Sequence, residues 1–317
     1  MFGFNKKKIL IIGMPDLVLY CISALRRSGK KIVGVISSPP DDVTYDYMKD
    51  FLAQHHLLFI ENNKNFKDEN LLSKVRELQP DVAIVCSFNF LLPKELYEIP
   101  KFGTINCHPS MLPNYRGANP YFHVINNNEK QTGITFHYVD ETFDTGDIIT
   151  QIPVDIYEND TMGSLFTRMN ELTAKVCVDI VNKLEKGEQL PRIKQNKASE
   201  SKKAPKIFAN TNDVKIDWNK SVQDIERFIR ALNPFFGAVS SIHGKSIKFW
   251  DVTYVENISA ASLPAGTICE INAEEIIISA KNGFIRTKVL GLNEENYFSQ
   301  TDVILEKIPM QKGEIFE

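Results

Sequence analysis

The chain has 317 residues, 43% hydrophobic and 24% charged, an ordinary globular balance with length for two domains or one large one around a substantial core. A net charge of −3 exerts no global pull on nucleic acid or an anionic membrane, so any basic surface has to be local. The five cysteines are scattered and contain no CxxC pair, which supports neither a disulfide framework nor a cysteine-rich zinc site and leaves reduced thiols in a cytoplasmic protein.

The first patterned element is the apolar run at residues 9–12. The lysines before it imitate a signal peptide, but the run stops at Pro15-Asp16, too short for an h-region, so a buried first strand is expected. Asp16 stands where it can cap a helix running to about Arg27 and ended by Gly29. "KIVGVIS" (31–37) reads as a second strand, residues 45–54 and 68–78 carry helical patterns, and "DVAIVCS" (81–87) is another buried strand. "GTINC" (103–107) is the next. This alternation predicts an α/β fold with a doubly wound, mostly parallel Rossmann-like sheet. It sets Asn106 and His108 at the carboxyl end of a strand, where open α/β sheets bind ligands. Gly13 in "GMPD" lacks the G-x-G-x-x-G fingerprint, so no nicotinamide site is expected there.

"TGITFHYV" (132–139) and "DIITQIPVDI" (147–156) alternate like partner strands, and residues 161–184 form a long helical pattern. Composition then shifts. "KGEQLPRIKQNKASESKKAPKIF" (186–208) is polar, lysine-rich and unpatterned, and reads as a linker. A helix near 222–232 and a run of short strands follow. They suggest a small C-terminal β-barrel of the oligonucleotide/oligosaccharide-binding (OB-like) type, although period alone does not separate barrel from sandwich. The expected domains are 1–186, a linker at 187–208, and 209–317. Internal repeats are absent, and no stretch approaches the roughly 20 apolar residues of a membrane span.

Taken singly, Asn106 reads as a loop residue bonding backbone, and His108 as a satisfied, partly buried histidine. In "DETFDTGD", Asp140, Glu141, Asp144 and Asp147 have a plain reading as a turn, yet acids so close repel unless some pair with a cation. A histidine is the natural candidate. An Asn–His–Asp set suits acyl transfer to an amine: the histidine acts as base, its pKa raised and its ring oriented by the aspartate. The asparagine amide donates to the developing oxyanion. No nucleophilic serine or cysteine is needed, and Cys107 points to the strand's other face, into the core.

"INCHPSMLPNYRG" followed by "TGITFHYVDETFDTGDII" resembles the signature of the 10-formyltetrahydrofolate-dependent formyltransferases, N-x-H-x-S-x-L-P-x-x-R-G and then D-x-G-D. The matching catalytic positions are Asn106, His108 and Asp144. The family's folate pocket is lined by the loop after the central strand, which matches "SFNFLLP" and so Ser87, Phe88, Asn89, Phe90 and Leu91. Backbone matching Val139, Asp140 and Glu141 closes it. The resemblance implies 10-formyltetrahydrofolate as cosubstrate, no metal and no membrane partner, and leaves a homodimer open. Tyr115, Arg116 and Gly117 are candidates for positioning the acceptor by stacking and ion pairing, with a structural loop anchor as the alternative. "APKIF", "KIDWNKS" and "RALNPFFGAVS" are similar to the linker and C-terminal domain of methionyl-tRNA formyltransferases. The formyltransferase half of the bifunctional enzyme acting on 4-amino-arabinose for lipid A has the same layout, whereas glycinamide ribonucleotide formyltransferases lack this domain.

One departure bears on the acceptor. The tRNA branch carries a basic P-D-R-P-x-G-R-G-K-K loop after the second strand, whereas this chain has "SSPPDDVTYDYMKD", with Asp41, Asp42, Asp46 and Asp50 against Lys49. Acids there repel an acceptor stem whose phosphates dominate affinity. From Lys206 onward there are 12 Lys/Arg against 15 Asp/Glu, so the C-terminal domain has no basic excess. Between Lys183 and Lys206 there are 8 against 3, a charge run that reads as solvated tether. The sum favours a small phosphorylated acceptor over tRNA, and the resemblance then implies a nucleotide-linked amino sugar, of the 4-amino-4,6-dideoxy type, as the family's best-known small acceptor. A methionyl-tRNA acceptor is the alternative, and a non-catalytic folate- or nucleotide-binding module the third reading.

Overall fold

A computed structural model describes residues 6–37, 44–62, 64–196, 201–209, 211–256, 262–294 and 298–317. Asp41 and Asp42 of the acidic segment, and residues 197–200 of the expected linker, lie outside the described residues.

In chain order the first part runs β1 (Lys8–Gly13), α1 (Pro15–Arg27), β2 (Lys31–Ser37), α2 (Thr44–Gln54), β3 (Phe59–Glu61), α3 (Glu69–Leu78), β4 (Val82–Cys86), α4 (Lys94–Tyr97) and β5 (Thr104–His108). It continues with α5 (Pro120–Asn126), β6 (Gln131–Tyr138), β7 (Ile148–Asp155) and α6 (Met162–Glu185). Among the described residues these strands form one seven-stranded sheet ordered β3-β2-β1-β4-β5-β6-β7. Pairing is parallel from β3 to β5 and antiparallel from β5 through β7. The mostly parallel α/β sheet is thus as the sequence predicts. Central strands such as β4 are buried along their length, as helices on both faces of a parallel sheet require.

Local chemistry sets the boundaries. Asp16 does not cap α1: Pro15 opens the helix after Met14, since proline's fixed φ suits the first turn, and Asp16 lies in that turn beside the positive end of the dipole. Gly29 takes φ 67 just beyond the helix end. Asp68 caps α3 by accepting from the Asn70 N–H at 3.1 Å. The three-residue β3 escaped the sequence reading because "FIE" is too short to display a period. Gly13 has a packing reason: a Cβ there would lie 2.0 Å from the Cys86 carbonyl oxygen of the neighbouring strand.

Leu10, Ile12, Ile36, Val75, Val85 and Leu96 lead the core on one side of this sheet. Elsewhere in the interior, the sulfurs of Cys21, Cys86, Cys107 and Cys177 meet at 3.6–3.9 Å as free thiols. Burial pushes the Cys107 thiol well above its ordinary value, as fits a core residue.

The second sheet follows α7 (Val222–Leu232), whose Ser221 cap accepts from the Asp224 N–H at 3.2 Å. Its strands are β8 (Ala238–Ile242), β9 (Lys245–Glu256), β10 (Ile268–Ile271), β11 (Ile276–Ala280), β12 (Gly283–Leu292) and β13 (Ser299–Gln300), with α8 (Thr301–Lys307) after them. The order is β10-β11-β12-β9-β8, all antiparallel, with β13 on β12. The last residues join the two edges. Glu317 exchanges both backbone bonds with Ser241 of β8, while the Ile268 N–H donates to the Glu314 carbonyl and the Phe316 N–H to that of Gly266. The sheet closes on itself, which favours the barrel over the sandwich.

The chain divides into two compact units, residues 1–120, 131–155 and 167–204 in one, and 121–130, 156–166 and 205–317 in the other. Residues 187–204 thus go with the first unit. Among the described residues no helix is long and apolar enough to cross a membrane.

Candidate active site

Asn106 and His108 are two residues apart on β5, so both side chains leave the same face of the sheet. The antiparallel register then sets His137 of β6 opposite Asn106, and Thr135 opposite His108. The Asn106 amide nitrogen donates to His137 Nε2 at 3.1 Å and to Asp144 Oδ1 at 3.3 Å. Asp144 Oδ1 also lies 3.4 Å from His108 Nδ1 and 3.7 Å from His137 Nε2. The structure therefore brings Asn106, His108 and Asp144 together and adds His137, which the sequence reading missed. Its signal was the "FHYV" alternation, but only the β5–β6 register shows that it faces Asn106.

Hydrogen bonds set the tautomers. His108 Nε2 is 2.9 Å from the Tyr115 carbonyl, so Nε2 carries the hydrogen and Nδ1 keeps the lone pair. His137 Nδ1 donates to the Tyr138 carbonyl at 2.8 Å, which leaves Nε2 to accept from Asn106. Burial pushes the His108 imidazole below its ordinary 6.5, against the opposing pull of the Asp144 carboxylate and the Tyr115 carbonyl. This corrects the expected rise: the ring is 5% exposed, and desolvation of the charged form outweighs one nearby carboxylate. Burial also pushes Asp144 up, but His108, His137 and the Gly117 N–H together hold its carboxyl below the ordinary 3.8. At neutral pH the site holds a neutral base beside an ionised acid.

The loop between His108 and Tyr115 is tied to the sheet. Thr135 Oγ1 donates to the Ser110 carbonyl at 2.6 Å and accepts from the Leu112 N–H at 3.1 Å, and Gln151 donates to the Leu112 carbonyl at 2.9 Å. Tyr115 is buried, with φ 60, and its carbonyl turns onto His108. The Arg116 Nε donates to the Asp144 carbonyl at 2.9 Å and its Nη2 to Gln195 Oε1. The Gly117 N–H reaches Asp144 Oδ2 at 3.4 Å. Of the residues expected to hold the acceptor, Arg116 thus has its Nε and Nη2 engaged within the protein.

Asp144 itself has φ 57, a left-handed conformation that Asp tolerates better than most residues. Gly146 is sterically required, because a Cβ there would lie 1.8 Å from the Tyr138 carbonyl oxygen. Among the neighbouring acids, Asp147 pairs with Lys194 at 2.9 Å and Asp140 accepts from Thr145 at 2.7 Å. The crowding is relieved by several partners rather than by one histidine.

The loop after β4 starts at Ser87, with φ 50, and packs the Phe88 and Phe90 rings on Phe66 at 5.2 and 5.7 Å between centroids. Asn89 and Leu91 are exposed, while Val139 is anchored by its N–H donating to the Thr104 carbonyl at 2.8 Å. A cleft of about 460 Å³ is lined by Phe66, Leu91, Leu92, Pro93, Tyr97 and Glu141 among others, so both expected folate segments reach it. Among the described residues no group of three or more His, Cys, Asp or Glu side chains is arranged to hold a metal ion.

This geometry can be set beside known proteins. The methionyl-tRNA formyltransferase of Azobacteroides pseudotrichonymphae is 32% identical over 95% of this chain and 96% of its own length. That of Clostridioides difficile is 34% identical over 86% of this chain and 88% of its own. Among solved structures, the N-formyltransferase from Helicobacter canadensis in complex with folinic acid and dTDP-3-aminofucose matches with a TM-score of 0.66 at 22% identity, covering 89% of this chain and 98% of that one. HypX from Aquifex aeolicus in complex with tetrahydrofolic acid matches with a TM-score of 0.68 at 16% identity, covering 98% of this chain, which spans 50% of that protein. The formyl transferase profile covers residues 7–181, and the profile of the formyl transferase C-terminal domain covers residues 209–305, so the chain belongs to the formyl transferase family.

Proposed function

We propose that the protein is a cytoplasmic N-formyltransferase that uses 10-formyltetrahydrofolate to formylate the amine of a nucleotide-linked amino sugar of the 4-amino-4,6-dideoxy type. The transfer chemistry rests on one observation, the partly buried contact among Asn106, His108 and Asp144 at the end of β5. Folate as the donor is supported by the cleft that Leu91 and Glu141 reach: an aromatic and aliphatic wall from Phe66, Leu92, Pro93 and Tyr97 suits a flat heteroaromatic ring system. Free thiols in the interior suit a reducing compartment.

When bound, the folate would supply the formyl group: its carbon would gain the bond to the acceptor nitrogen as its bond to the folate nitrogen breaks, and that nitrogen would take up a proton as tetrahydrofolate leaves. The work of the chain is proton and charge management. His108 Nδ1 carries the lone pair that takes the proton shed by the acceptor ammonium, and the resulting imidazolium donates to Asp144 Oδ1 and to the Tyr115 carbonyl. Asp144 thereby supplies opposite charge only once His108 has gained it. The amide of Asn106 holds one N–H on His137 and the other in a long 3.3 Å contact with Asp144. The second is the weaker, and it is the donor available to negative charge on the formyl oxygen.

The acceptor assignment rests on the acid-rich segment after β2 and on the C-terminal third, which carries 12 basic against 15 acidic residues from Lys206 onward. Both disfavour a polyanionic partner. A second reading, methionyl-tRNA, is favoured by full-length relatives that bear that name. The deciding experiment compares nucleotide-linked 4-amino-4,6-dideoxy sugars with charged initiator tRNA at equal enzyme and 10-formyltetrahydrofolate. Higher kcat/KM on a sugar is expected, and preference for the tRNA would replace the proposal by the second reading. Folate binding without turnover of either acceptor would leave a binding module.

A further inference from the structure

The polar segment after α6 contributes Gln195, whose side chain bonds to Arg116 and to the Asp144 loop. Gln195 is 7% exposed. Its Oε1 accepts from Arg116 Nη2, and its Nε2 donates to the carbonyls of Asp144 at 3.0 Å and Gly146 at 2.8 Å. Arg116 Nε donates to the same Asp144 carbonyl at 2.9 Å. The segment holding Gln195 is itself fixed. Ile193 and Ile148 exchange backbone bonds at 2.8 and 2.9 Å, Lys194 pairs with Asp147, and the Arg192 guanidinium stacks 3.6 Å above the Tyr138 ring. Farther on, the Lys202 carbonyl accepts from the Tyr115 N–H at 2.6 Å and the Ala204 N–H donates to the Arg116 carbonyl at 2.9 Å. Both loops that carry the site are therefore braced by residues that look like tether in the sequence.

The left-handed backbone of Asp144 is intrinsically disfavoured for any residue with a Cβ. Without something holding it, rotation to the commoner right-handed or extended form would swing the carboxylate off His108. Two convergent donors on its carbonyl oppose that rotation. We propose that Gln195 is a positioning residue for formyl transfer: with Arg116 it clamps the Asp144 peptide in the conformation that aims the carboxylate at His108.

The inference rests on the proposed role of Asp144, and its test separates the two. Gln195→Met keeps length and volume and removes every hydrogen bond. Measured on the acceptor that the parent enzyme turns over, the amino-sugar nucleotide or methionyl-tRNA, kcat should fall about 10- to 100-fold, the scale of a misplaced catalytic group. KM for 10-formyltetrahydrofolate should stay within about 3-fold, because Gln195 is not among the residues that line the cleft. In ligand-free protein, histidine-ring NMR should show the His108 midpoint moving down. The carboxylate favouring its charged form has moved away, while His137 and Arg116, which disfavour that form, still face it. The double variant Arg116→Met/Gln195→Met should fall little further than the worse single variant, since both act through one carbonyl. Parent-like kcat with an unmoved His108 midpoint would overturn the clamp, as would equal losses of turnover, folate affinity and melting temperature. Asp144→Asn is run alongside. If it turns over like the parent, the reading of the site itself fails; if it is inactive while Gln195→Met is parent-like, only the clamp fails.

Discussion

The two sheets bury polar side chains in opposite ways. In the C-terminal sheet the buried Trp250 indole N–H has no partner among the described residues, but several hydroxyls end in closed bonds. Trp218 donates to Ser240 at 2.9 Å, Ser240 passes its own hydrogen to the Glu317 carbonyl at 2.8 Å, and Ser279 and Thr267 both end on the Pro264 carbonyl. At the end of β5 the partners are titratable groups instead: two imidazole nitrogens lie 3.4 and 3.7 Å from one carboxylate oxygen, and an amide bonds to both an imidazole and that carboxylate. Hydroxyls satisfied by carbonyls hold a fold and change little with pH. A neutral base buried against an ionised acid is costly for stability alone and useful when a proton must move. That contrast supports the proposal that the chemistry belongs to the first sheet.

The largest test of this contrast is His108→Ala or Asn106→Ala. Either should lower single-turnover formylation by about 10²- to 10⁴-fold, the range for a lost general base or oxyanion donor, with little change in melting temperature. Near-parent rates in both variants would return these residues to a structural role. Gly146→Ala attacks the same loop through sterics. The added methyl meets the Tyr138 carbonyl, so denaturant unfolding should show a loss of about 1–3 kcal/mol together with reduced turnover.

The pH profile sharpens the comparison further. Because His108 is held below 6.5, the acid limb of kcat/KM should have its midpoint under that value. The same shift affects stability. The unfolded chain takes up the proton first, so the His108 contribution falls as pH drops below 6.5 and levels off once its lower folded pKa is passed. Denaturation of the parent and of His108→Gln across that window should show a shallower fall in the variant. The smallest effect is expected from the other sheet's unit. Ser221→Ala removes the cap of α7 and should cost about 1 kcal/mol with kcat on a small acceptor unchanged. A comparable loss of kcat would mean that the C-terminal unit takes part in the chemistry.

The sequence by itself determined the alternation of strand and helix, the parallel character of the central strands and the grouping of Asn106 with His108, because these depend on local period and on a two-residue spacing. It also selected Asp144 through the D-x-G-D pattern. Tertiary structure alone decided three things. His137 joins the site because an antiparallel register places it across from Asn106, and a register is a relation between strands. Gln195 joins it because a segment with no hydrophobic period is held by backbone bonds that leave no mark in composition. The direction of the His108 shift depends on how far burial outweighs its carboxylate partner, and no spacing in the chain encodes how deeply a side chain is covered.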